Sequence, residues 1–458
     1  MKHLLSALAI ASTVLFGELL IQLLFPARPS TMSFSLMPIA VWFAIGGIVP
    51  AIHGRLNTIL MLALIGFYFI GNLNAVASYY NYGPHYLTDL QTTNLIYSFY
   101  ALVFAIAITI FERAFKCTSP VTFRDLRKES LNSIFYIGAC LFPTVWIIDE
   151  LLVLRRIPIL SGESIIEDIY AIQYGRLYGY GILLGVAALL MWSKIRQTTW
   201  LGRSALIFGL LIATFAMVFD GRRVFLLTFL GALLAFELSC FPERKLWKPI
   251  VKFILVLLGV YVLILYARQG GRLITYPDPA QVFSKVGVEY RDFAYVVTHL
   301  SPGGLKAYSW LGSAVGGFGN WLLLALFGFN KNELVFSGSA YQLGIFYKSA
   351  FGIRVGLIAE IWMQYGILGA LFCFPVAALY VWIASLVEYS KSEVGRVFAS
   401  MAFGVALLSF VGQASAITGY WSLIIYLAVV WLFLDQFNKF RFSHHKPTHM
   451  IKREALWK

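Results

Sequence analysis

The chain has 458 residues, of which 59% are hydrophobic and 13% charged, with a formal net charge of +14. A soluble domain carries about 25% charged residues, so this composition excludes a soluble globular protein and points to an all-α polytopic membrane protein. The excess positive charge then belongs to loops beside anionic headgroups rather than to a nucleic-acid surface.

In chain order, runs of about 20 apolar residues, the length that crosses the hydrocarbon layer, fall at 4–25, 34–52, 57–77, 94–112, 132–153, 177–193, 204–219, 224–241, 249–267, 367–387, 397–413 and 418–436. That is about 12 transmembrane helices. The first run continues through Leu24, longer than the apolar core of a signal peptide, and reads as an uncleaved span. Lys and Arg placement gives the orientation. Lys2, Arg55, the loops around Arg113–Lys128, Lys194–Arg203, Arg244–Lys252 and Lys391–Arg396, and the tail from Asn438 hold 22 of the 36 basic residues. These parts, both termini among them, are expected in the cytoplasm. The predicted organisation is a nine-span bundle at 1–267, a large periplasmic loop at 268–366 with interfacial or re-entrant helices, three C-terminal spans at 367–437, and a basic cytoplasmic tail at 438–458.

The periplasmic loop contains two apolar stretches. Ser309 to Phe329 is nearly uncharged and glycine-rich, and is expected to be buried or re-entrant, because irregular backbone at membrane depth needs protein around it. The stretch 355–366 is expected to be an external or interfacial helix ahead of the tenth span. The four cysteines (Cys117, Cys140, Cys240 and Cys373) show no disulfide framework or zinc spacing.

Several chemistries are missing their residues. There is no phosphate loop of the Gly-x-x-x-x-Gly-Lys type, no His-Glu-x-x-His zinc motif, and no Asp-x-Asp pair of the kind that holds a metal for a sugar nucleotide. No cofactor and no metal are therefore expected.

What stands out instead is positive charge on the outer side. Arg155 and Arg156 open one short external loop and Arg176 closes it. Arg222 and Arg223 sit in the tight turn Asp220-Gly221-Arg222-Arg223. Arg268 and Arg272 follow the ninth span. Any one of them suits an ordinary headgroup. As a set at one level they suit a phosphate or pyrophosphate, because guanidinium presents a planar fork of donors and stays ionised.

Candidate bases are carboxylates. Glu289 and Asp292, three apart in Val288-Glu289-Tyr290-Arg291-Asp292-Phe293, share a helix face. Glu360 lies inside an apolar run, where an ionisable group is costly unless paired. Asp149 and Glu150 end the fifth span and can simply mark the membrane edge, and His299 stands alone. Tyr290, Trp310 and Tyr341 are aromatics on which sugars could stack, although aromatics also populate membrane interfaces.

The external run Arg156-Ile157-Pro158-Ile159-Leu160-Ser161-Gly162 resembles an element of the Wzy-type oligosaccharide repeat-unit polymerases, the O-antigen and exopolysaccharide polymerases. So do the Gly221-Arg222-Arg223 turn, Arg268 at the mouth of the large loop, and the block from Gly356 through Glu360 to Gly366 and Gly369. The resemblance covers about residues 150 to 390.

It implies a fold like that of the GT-C glycosyltransferases and a bacterial inner-membrane location. It also implies a metal-independent glycosyltransferase that polymerises undecaprenyl-pyrophosphate-linked repeat units at the periplasmic face. In that reading Arg156, Arg223, Arg268, Glu289, Arg291 and Glu360 are catalytic. Arg155, Arg176, Arg222, Arg272, Tyr290, Trp310, Tyr341 and Arg354 bind substrate. The partner is the lipid-linked oligosaccharide, with a chain-length regulator and a flippase as further partners. The alternatives are a flippase or transporter for the lipid-linked oligosaccharide, and an O-antigen ligase.

Overall fold

The computed structural model describes residues 1–27, 29–33, 35–115, 121–123, 126, 134–155, 157, 177, 180–195, 197–219, 224–268, 278–284, 288–300, 355–411, 420–421 and 423–434. The described residues are helical, with no β-strand among them.

The helices are α1 (Lys2–Leu24), α2 (Leu36–Ile48), α3 (Arg55–Tyr82), α4 (Leu90–Ala114), α5 (Ile134–Leu154), α6 (Ile182–Ile195), α7 (Trp200–Val218), α8 (Val224–Cys240) and α9 (Trp247–Arg268). They continue as α10 (Pro279–Phe283), α11 (Val288–His299), α12 (Gly356–Tyr365), α13 (Cys373–Tyr389), α14 (Glu393–Val411) and α15 (Leu423–Leu434). Every apolar run read from the sequence coincides with a helix. Among the described residues, eight stretches are long and apolar enough to cross a membrane, and α6, α8 and α15 are shorter apolar helices. The protein is thus a helical multi-pass membrane protein.

The reasons for these helices are local. The runs are unbroken apolar sequence, and their starts are marked by capping side chains. Ser35 Oγ accepts from Met37 N at 3.3 Å, and Asp89 accepts from Thr92 N at 2.9 Å. Such caps satisfy backbone N–H groups that the first turn leaves without partners. In the centre, α8 and α14 cross closely, because Gly404 brings its backbone against the Thr228 carbonyl. A Cβ at Gly404 would stand 2.3 Å from that oxygen.

One end of the bundle is held by charges. Arg55, at the start of α3, donates to the Leu238 and Phe241 carbonyls at 3.1 Å each and also to the Arg244 carbonyl. It thereby caps the C-terminus of α8. Arg396 on α14 does the same for the end of α13, donating to the Ser390 carbonyl at 2.9 Å and the Glu388 carbonyl at 3.3 Å. It also reaches the Val121 carbonyl at 2.8 Å. Glu112 accepts from His53 N at 3.0 Å and from Gly54 N, which places a carboxylate at the N-terminus of α3. Cations at helix C-termini and anions at N-termini both complement the helix dipole. Lys194 and Glu393 form a buried ion pair in which Gln197 also donates to Glu393, at 3.0 Å. These bonds join the ends of α3, α4, α6, α8, α13 and α14 at one end of the bundle.

At 355–366 the structure adds a feature that the sequence reading of an external or interfacial helix did not include. Every residue from Gly356 to Gln364 in α12 is buried, and α12 packs among α4, α11 and α14. Its ten residues are apolar nearly all round, and such a helix is stable only with protein or lipid on every side. The chain then breaks at Gly366, whose φ of 56° favours glycine. It passes through a 3-10 helix at Gly366–Phe372 and continues as α13. The stretch 309–329 and the tail 438–458 lie outside the described residues.

Candidate active site at the loop end of the bundle

The opposite end carries α10, α11 and α12, the described parts of the large loop. They are set into the bundle rather than laid over it. On α3, Asn74 Nδ2 donates to the Phe283 carbonyl at 2.9 Å, and Asn81 Nδ2 donates to Ser284 Oγ at 3.1 Å. These bonds fix α10. For α11, the backbone N–H of Asp89 donates to Thr298 Oγ1 at 2.8 Å. Tyr290 is fully buried, with its hydroxyl donating to Asn94 Oδ1 at 2.6 Å. Its ring meets Phe67 and Tyr97 at centroid distances of 5.6 and 5.3 Å. Phe293 on α11 meets Trp362 on α12 edge-on at 6.1 Å, which joins the two helices that bear the candidate carboxylates.

Beside Tyr290, Arg291 and Asp292 pair with each other. Arg291 donates to Asp292 Oδ1 through Nε at 2.9 Å and Nη2 at 2.7 Å, and both side chains remain about one-fifth exposed. Burial pushes the Asp292 carboxyl above the usual carboxylate range, and the Arg291 guanidinium pulls it back only in part. Burial likewise pushes the Tyr290 phenol well up, so it is a neutral donor at physiological pH.

On α12, Glu360 is fully buried. Nearby in the bundle the Tyr380 hydroxyl on α13 shares a hydrogen bond with Ser409 on α14. At the end of α5, Asp149 Oδ2 accepts from Leu177 N at 2.7 Å, and Trp146 Nε1 donates to the Leu177 carbonyl at 3.2 Å. Both backbone groups of Leu177 are thereby held, and with them the far end of the loop that begins at Arg155. Arg155 itself is exposed and adopts φ 51°, a left-handed conformation that a residue with a Cβ adopts only at a cost.

The placement of the predicted residues is therefore mixed. Glu289, Tyr290, Arg291 and Asp292 stand on α11, next to the Glu360 helix. Tyr290 has no exposed surface, so it packs the loop onto the bundle instead of presenting a face to a sugar. Arg268 is the last residue of α9, and the side chains of Arg268 and Glu289 lie outside the described set. So do Arg156, Arg176, Arg222, Arg223, Arg272, Trp310, Tyr341 and Arg354. His299 is exposed at the end of α11, with its ring 4.3 Å from that of Tyr295.

The sequence reading missed the asparagines. Asn72, Asn74, Asn81 and Asn94 are placed in or beside apolar spans, where a polar side chain needs a partner. That signal was available at each position. Glu18 in α1 carried the same signal, and it accepts from the Tyr68 hydroxyl at 3.4 Å.

No family model, curated protein or solved structure matches the chain.

Proposed function

We propose that the protein is a lipid-dependent glycosyltransferase that polymerises undecaprenyl-pyrophosphate-linked oligosaccharide repeat units. It crosses the bacterial inner membrane twelve times, with both termini cytoplasmic and residues 268–366 periplasmic. The observation that carries this reading is the packing of α11 against α12 at the loop end. It sets the acid–base turn at Glu289–Asp292 beside the helix of Glu360, at the end of the bundle where the sequence places its outward arginines.

The reaction needs no nucleotide and no metal. An acceptor hydroxyl attacks the anomeric carbon of the donor glycan. The carbon–oxygen bond to the lipid pyrophosphate breaks, and the pyrophosphate leaves with the bonding pair. Charge grows on that leaving group as the bond lengthens, so guanidinium groups held at it stabilise the transition state more than the ground state. Arg156, Arg223 and Arg268 serve there, with Arg155, Arg176, Arg222, Arg272 and Arg354 around the substrate. The hydroxyl proton passes to a carboxylate, for which Glu289, Asp292 and Glu360 are the candidates.

A strain lacking the protein tests this. It should display single repeat units on the carrier or on the final acceptor, and the restored gene should return long chains. Unchanged long-chain glycan overturns the proposal. A complete absence of repeat units assigns the protein to transport instead.

A further inference from the structure

The loop helix α11 is tied to the bundle by a chain of hydrogen bonds that crosses two spans. Tyr290 Oη donates to Asn94 Oδ1 at 2.6 Å, Asn94 Nδ2 donates to Asn72 Oδ1 at 2.7 Å, and Asn72 Nδ2 donates to the Tyr68 carbonyl at 3.0 Å. All three side chains are buried. An apolar side chain at 72 or 94 would fill the same space with no polar group to satisfy, and a buried amide is costly unless bonded. Packing alone therefore does not ask for these asparagines.

Their geometry shows what they add. The Tyr290 ring lies in a notch at Gly71, among Phe67, Tyr68 and Tyr97. Ring contacts hold over a range of centroid distances and angles and tolerate a small rotation of α11 about its axis. A hydrogen bond of 2.6 Å at the ring's far end does not. Because successive residues on a helix point about 100° apart, fixing Tyr290 also fixes where the neighbouring Arg291–Asp292 pair is directed. The Asp89–Thr298 bond holds the same helix at its C-terminal end.

We infer that Asn72 and Asn94, acting through the Tyr290 hydroxyl, are positioning residues that set the direction of the acid–base turn on α11. The inference rests on the glycosyltransferase reading. Neither asparagine touches substrate. Their effect is on the rate of the transfer step, since a misplacement of roughly 1 Å at a reacting group costs about a hundredfold.

The test uses the full-length protein in nanodiscs, with an undecaprenyl-pyrophosphate-linked repeat unit as the probe. Tyr290→Phe removes one oxygen and leaves the ring in its notch, and Asn94→Leu removes the middle of the chain. Hydrogen exchange reads the order of 288–299, and chain-extension kinetics read kcat and KM separately. The expected result is α11 exchange faster by about tenfold in each variant, the equivalent of one hydrogen bond. Exchange in α14 should be unchanged, and kcat should fall at least tenfold at constant KM.

If α11 exchange and kcat both hold at wild-type values, the inference is overturned. It is also overturned if α11 loosens while kcat holds, or if only KM rises. Should Asn94→Leu loosen α14 as well, Tyr290→Phe alone decides between these outcomes. A wild-type protein that extends no chains removes the glycosyltransferase reading, and the positioning role with it, before any variant is compared.

Discussion

Gly71→Ala is a small change with a large expected effect. A Cβ at Gly71 would stand 2.2 Å from Tyr290 Cγ and 2.4 Å from Tyr290 Cβ. These atoms are the stem of the side chain, so rotating the ring does not clear the contact. The backbone of α11 has to withdraw from α3 by about 1.3 Å or more to reach an ordinary van der Waals distance of about 3.5 Å. Overpacking of this kind costs about 1–3 kcal/mol, which leaves the bundle folded. If α11 bears the acid–base turn of the proposed transfer, the same displacement moves that turn, and a shift of roughly 1 Å should lower the rate by about a hundredfold.

Gly66 on the same helix supplies the control, because nothing lies within 4 Å of where its Cβ would stand. Both alanine variants would be expressed in a strain lacking the protein, with membrane levels measured and the glycan resolved by length on gels. Gly66→Ala should give the normal ladder. Gly71→Ala should give single units and very short chains at a normal protein level. A normal ladder from Gly71→Ala refutes the claim that the seating of α11 matters to the reaction.

The other predictions concern the charged groups. Lys194→Met or Glu393→Gln strands one member of a buried pair and should cost about 3–5 kcal/mol, whereas Lys194→Met with Glu393→Leu should recover most of the loss in equilibrium unfolding in bicelles. Single variants as stable as the wild type would mean that the pair does not hold the basic end together. Arg223→Ala and Arg268→Ala should each abolish chain extension at normal protein levels, and Lys at either site should substitute poorly if the contact is bidentate. Normal chains from both alanine variants would sink the pyrophosphate grip. Glu360→Gln should lower extension by about a hundredfold or more if Glu360 is the base, and a normal rate leaves Glu289 and Asp292.

Asp292 gives a pH dependence. Its pKa is raised on folding, so its contribution to stability is fully present below the ordinary carboxylate value of about 4. The contribution is lost as pH rises through the raised value. Asp292→Asn should flatten that limb of a stability profile, and an identical limb in the variant would show that another group produces it.

Much of the fold was legible because membrane spans declare themselves by composition. Each expected apolar run became a helix, and at one end Arg55 and Arg396 cap helix C-termini while Lys194 pairs with Glu393. The burial of 355–366 among α4, α11 and α14 was not legible, because it comes from packing between elements far apart in the chain. The candidate site was legible in outline, since the turn at Glu289–Asp292 and Glu360 do fall on adjacent helices. Its supports were not. Asn72 and Asn94 are 22 residues apart and Tyr290 lies 196 beyond Asn94. Only the packing of three helices brings them into one chain of bonds. Tyr290 itself shows the limit of reading by type, because an aromatic suited to stacking on a sugar is equally suited to a notch at a glycine.

The most direct measurement is chain extension by the purified protein. It would be reconstituted in lipid with undecaprenyl-pyrophosphate-linked repeat units alone, without nucleotide sugar, and with a chelator present. The account predicts a ladder of products rising by one repeat unit at a time, with release of undecaprenyl pyrophosphate. Unextended repeat units, or extension that stops when the chelator is added, would contradict it.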